Sequence, residues 1–192
     1  MNIIFKKIWV VSTLTVALLV VVLMMGLYPA ARVGDSFIWK RTWQKAEEAE
    51  KKLTNTQAKS LNLKPVNFSI AENKDLLTGI KQDTLTSLIE DMIIQQDGIK
   101  IVQNLAELSK KRMQDTIQGG GQDLDKAVRT VYNLSLEDFR NLVLLPQARR
   151  DVLRVFLASE GKNFEEWLKS EKQKKNVKLF LVPFRWDGER VK

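Results

Sequence analysis

The stretch LTSLIEDMIIQQDG, Leu85 to Gly98, decides the fold. Leu85, Leu88, Ile89, Met92 and Ile93 recur at the i, i+3, i+4, i+7, i+8 spacing that lays one apolar stripe along an α-helix. Gly98 supplies a C-terminal stop.

Toward the C-terminus, Leu105, Leu108, Arg112 and Met113 predict a second helix. It must end by Gly119-Gly120-Gly121, because consecutive glycines are poor in helices and permissive of turns. Leu124, Val128 and Val131 begin a third. In Leu134-Ser135-Leu136-Glu137-Asp138-Phe139, Ser135 is placed to cap a helix with Asp138 three residues on, and Leu134 to pack on Phe139 as a hydrophobic staple. Pro146 should break or kink that helix. Val152, Leu153, Phe156 and Leu157 resume an apolar face, and Asn163 with Glu166 predicts a new start before Phe164, Trp167 and Leu168.

Toward the N-terminus, Trp39, Trp43, Ala46 and Leu53 give an amphipathic helix over Trp39 to Leu53, and Thr54 to Asn73 read as a polar loop. Val177 to Phe184 is rich in β-branched and aromatic residues and predicts a short strand, confined by Pro183 to an edge or an end. Ser36-Phe37-Ile38 is its expected partner, in a small two-stranded element joining the ends of the domain.

Ile8 to Tyr28 carry no charge and match the ~20 residues a helix needs to cross a bilayer. Trp9 and Tyr28 stand at its two ends, and Lys6 and Lys7 before it favour a cytoplasmic N-terminus. A cleaved signal peptide would have a shorter apolar region and small residues at alternating positions, which Tyr28-Pro29-Ala30-Ala31 lacks. The expected organisation is therefore a cytoplasmic tail (1–7), a transmembrane signal-anchor helix (8–28) and an extracytoplasmic helical domain (33–192). The fold class expected is mainly α, in a single-pass protein of the cell membrane that contacts the bilayer through Ile8 to Tyr28.

Composition narrows the chemistry. The chain of 192 residues has a net charge of +8, with neither cysteine nor histidine. Disulfides, thiolate nucleophiles and thiolate metal sites are excluded, and the commonest general base is missing. A Ser–Lys hydrolase is the most reasonable enzyme left, but Ser87 and Ser109 lie within helical patterns without a strained turn to expose a nucleophile. Asp123 and Asp125 lack the ligand pattern of a calcium loop and suit helix capping better. The basic runs around Lys110-Lys111-Arg112, Arg149-Arg150 and Lys172 to Lys175 are short and read as solvated helix faces rather than phosphate sites. No catalysis, cofactor, metal or nucleic acid is expected.

Three segments, in this order, carry a resemblance: Val33-Gly34-Asp35-Ser36-Phe37-Ile38 before a helix, Leu85 to Gln96 followed by Gly98-Ile99, and Leu134 to Arg140. They resemble the N-terminal chaperone domain of the SurA-like foldases, the module also found in membrane-anchored PpiD-like and PrsA-like proteins. The resemblance spans Val33 to Leu157, and Trp167 to Leu181 resembles the closing helix and strand of longer members. It implies a membrane-anchored, ATP-independent holdase for unfolded or newly translocated polypeptides. Members usually add a parvulin prolyl-isomerase domain, for which this chain has neither the length nor a histidine. Gly120-Gly121-Gln122-Asp123-Leu124 echoes a parvulin glycine motif only as an interhelical loop would, so no isomerase activity is expected.

A holdase needs an apolar groove with adaptable lining. Trp39, Trp43, Phe139, Phe156 and Trp167 are the candidates for it, and each also fits an ordinary core position. The alternative expectation is a structural or assembly subunit whose apolar surface docks one membrane-protein partner.

Overall fold

The computed structural model describes residues 25–119, 121 and 123–192. A hairpin of β1 (Pro29–Val33) and β2 (Ser36–Trp39) leads into α1 (Lys40–Ser60). Next come α2 (Lys74–Gly98), α3 (Leu105–Gly119) and α4 (Leu124–Tyr132). Then α5 (Leu136–Phe139) passes through a π turn, Arg140–Leu144, into α6 (Leu145–Ser159). Helix α7 (Phe164–Lys174) and strand β3 (Val177–Leu179) follow, and an irregular segment closes the chain.

Helix α2 is the centre of the molecule. Its predicted stripe is there, with Leu85, Ile89 and Ile93 fully buried, but Ile94, Asp91, Asp97 and Gly98 are buried too. The helix is therefore covered on several sides, by β1, α1, α6 and α7, rather than along one face. Covering the polar positions takes charge pairing, because an unpaired buried carboxylate is costly. Arg149 of α6 donates to both oxygens of Asp91 at 2.7 Å. Arg150 and Lys172 both reach Glu90, and Lys100 and Lys175 both reach Asp97. A second, smaller cluster of Ala49, Val128, Leu134 and Phe139 joins α1 to α4 and α5.

Local signals set several boundaries. The Ser135 hydroxyl accepts from the Asp138 amide at 3.0 Å, and Asn163 Oδ1 accepts from the amides of Glu165 and Glu166. The π turn stands just ahead of Pro146, where it absorbs the missing N–H and the clash with the carbonyl four residues back. The helical path consequently continues through the proline instead of breaking. Helix α1 also outlasts its predicted end at Leu53 and runs to Ser60, the Thr54 and Thr56 hydroxyls bonding back to the Glu50 and Lys52 carbonyls within it. Asn55 meanwhile ties the following loop to the helix by exchanging hydrogen bonds with Val66.

The sheet corrects the sequence reading. It has three strands in the order β2-β1-β3, all antiparallel. β3 was expected against Ser36-Phe37-Ile38, yet it pairs with β1, Ala31 opposite Leu179 and Val33 opposite Val177. Gly34, at φ 58°, opens the two-residue turn between Val33 and Ser36, as the first position of a type II′ hairpin requires. Gln96 anchors β1 to α2 by donating to the Val33 carbonyl at 2.9 Å.

The expected single-pass membrane fold and its localisation are corrected as well. Among the described residues no helix is long and apolar enough to cross a membrane. Helices α1 and α2, with 21 and 25 residues, have the length but are studded with Lys, Asp and Glu. Most of the predicted span Ile8 to Tyr28 lies outside the described residues. Its last four residues form a turn and a bend leading into β1 rather than helix.

Candidate functional site

Helix α3 shows how the candidate site arises. Of its 15 residues only Leu105 and Ser109 are buried. Ser109 turns its hydroxyl back onto the Leu105 carbonyl at 2.6 Å, leaving a small side chain where α3 meets α6. Opposite, Leu153 and Leu157 of α6 are buried in the main core. The apolar residues flanking this contact stay open to solvent: Leu108 is 38% exposed, Phe156 37% and Val155 71%.

They line a groove of about 500 Å³ together with Val102 and Val152. Lys111, Arg112, Asp115 and Asp151 also line it, so charges of both signs surround an apolar surface. Such a surface gains affinity by burying apolar area and sets few fixed hydrogen bonds.

A second depression, of about 650 Å³, lies between α1, α2, α4 and the π turn. Ala46, Ala49, Leu53, Leu142 and Val143 give it an apolar lining, and Glu50 and Asp83 add carboxylates. Burial, and after it the charge of Asp83, pushes the Glu50 carboxyl above its ordinary value. Arg150 and Arg154 lie on its other side, Arg150 already paired with Glu90.

The five candidate aromatics do not share one surface. Phe156 lines the α3–α6 groove. Trp39 is 49% exposed on β2 beside Phe37, their rings 6.3 Å apart, in a separate patch. Trp43 is buried in the main core, where its indole N–H donates to the Lys81 carbonyl and to Thr84, and Phe184 meets its ring edge-on. Phe139 is buried in the second cluster against Tyr132, the rings 5.0 Å apart. Trp167 is partly buried beside Phe164. Val155 was missed, although it falls with Val152, Phe156 and Ser159 at the i, i+3, i+4, i+7 spacing of one helix face.

Neither a family model, a curated protein nor a solved structure matches the chain.

Proposed function

We propose that the chain is an ATP-independent holdase that takes apolar segments of unfolded polypeptides into the groove between α3 and α6. The observation that carries this reading is the groove itself: Leu108, Val155 and Phe156 stay open to solvent in a recess of about 500 Å³. Exposed apolar surface gathered in a recess marks binding more often than isolated exposed residues do. The resemblance to SurA-like chaperone domains supports the same class of activity, without a prolyl-isomerase step.

The test is light scattering from a chemically unfolded test protein diluted into buffer with the full chain and no nucleotide. Near-stoichiometric suppression of aggregation is expected. The variant Val155→Asp/Phe156→Asp, with helix content matched by circular dichroism, should lose most of it. Equal suppression by this variant, or none by the native chain, would overturn the proposal.

A further inference from the structure

A third depression, of about 730 Å³, lies between α1 and α2 and is closed on one side by Pro183 and Phe184 of the C-terminal segment. Its apolar wall consists of Leu77, Pro183 and Phe184, with Trp43 buried behind Lys40. Four lysines, Lys40 and Lys51 of α1 and Lys74 and Lys81 of α2, share its lining with Glu47 and Glu48 of α1. Lys51 and Glu47 neutralise one another at 3.1 Å. Among the described residues no ion pair involves Lys40, Lys74 or Lys81.

Lys40 holds its ammonium 3.7 Å from the centre of the Trp43 ring, a cation–π contact in place of a carboxylate. Burial pushes this ammonium below its ordinary value, with Glu47 opposing that shift and Lys81 adding to it. The recess thus holds four lysines against two glutamates, an excess of positive charge next to an aromatic and aliphatic wall.

We infer that this recess binds a polypeptide segment through a carboxylate placed among Lys40, Lys74 and Lys81, with a neighbouring apolar side chain on the Pro183–Phe184 wall. The polypeptide nature of the ligand rests on the holdase reading; the preference for a carboxylate rests on the recess alone. Glu47 and Glu48 in the same lining repel a polyanion, so one or two carboxylates beside apolar residues fit better than a nucleic acid. The volume lies within the ~300–1,000 Å³ typical of ligand sites. The recess would favour acidic apolar segments, complementing the apolar groove at α3 and α6.

The test is fluorescence anisotropy with labelled apolar hexapeptides on the full chain. One probe is amidated and carries a central Glu, one carries Gln there, and a third carries Gln and a free C-terminal carboxylate. At least one carboxylate probe should bind about tenfold tighter than the Gln amide at low salt, and the advantage should shrink as salt screens it. Which of the two does so identifies a side-chain or a chain-end carboxylate as the source.

Lys40→Gln/Lys81→Gln should abolish the advantage, and Lys81→Arg should keep it. Equal binding of all three probes by the native chain, or an advantage that survives in Lys40→Gln/Lys81→Gln, would overturn the inference. Val155→Asp/Phe156→Asp separates the two readings: loss of aggregation suppression with the carboxylate advantage intact would locate the two activities at different sites. A native chain without suppression that keeps the advantage would sink the holdase reading alone.

Discussion

Gly98 separates what a residue says locally from what its neighbours make of it. As a helix-ending glycine it was legible, and α2 does end there. The following residue, Ile99, stays right-handed at φ −64°, so no left-handed cap requires glycine. The requirement is spatial: a Cβ at this position would come within 2.8 Å of a Leu105 methyl and 3.2 Å of a Leu153 methyl. Glycine lets the end of α2 seat against α3 and α6 at once, beside the candidate groove. Gly98→Ala should therefore cost about 1–3 kcal/mol by overpacking, despite alanine's better helix propensity. Urea denaturation checks it, and an unchanged or raised midpoint would refute the close-packing account. The caps at Ser135 and Asn163 were readable because each bonds within three residues; the role of Gly98 was not, because its contacts come from two other helices.

At the scale of elements, the periodicity of α2 located the helix but not its surroundings. A sequence stripe describes one face, whereas α2 is enclosed because Arg149, Arg150, Lys172 and Lys175 arrive from α6 and the α7 end to pair its acids. The cleft between α1 and α2 shows the opposite case, carboxylates left to face one another. Glu50 is raised by burial first and by Asp83 second. Its folded pKa thus lies above the unfolded one, and the folded chain holds this proton more firmly. The stability that this confers is fully present below the ordinary carboxylate range and is lost as pH rises through the raised value. Glu50→Gln should therefore stabilise the chain near pH 7 by a solvent-screened amount of under about 1 kcal/mol, and the gain should vanish near pH 3. Denaturation curves at the two pH values decide it; a variant that is less stable than the native chain at neutral pH would show that Glu50 makes a favourable contact instead.

For the whole molecule, the ends of the described chain meet in the sheet, and this long-range closure is what sequence patterns conveyed least. The strand near Val177 was legible from its β-branched residues. Its partner was not, because Pro29-Ala30-Ala31 has little β propensity and becomes a strand by packing under α2, with Ala30, Ala31 and Val33 fully buried. The candidate groove was half legible: Phe156 stood out by type, but the exposure of Val155 depends on where α3 lies.

Least visible of all was the final segment, whose charged residues show no period. It turns back on itself through paired hydrogen bonds between Arg185 and Lys192, with Asp187 accepting from the amides of Glu189 and Arg190. This turn sets Val191, only 2% exposed, into the main core, where its amide donates to Thr86 of α2 at 3.0 Å. If the segment belongs to the cooperative core, Val191→Asp should lower global stability by about 2–3 kcal/mol, while Arg190→Ala, at an exposed neighbour, should change it little. Thermal and urea unfolding followed by far-ultraviolet circular dichroism measure both. A native midpoint for Val191→Asp would mean that the last residues detach independently, and the wall that Pro183 and Phe184 give the lysine recess would then be a movable flap rather than part of the core.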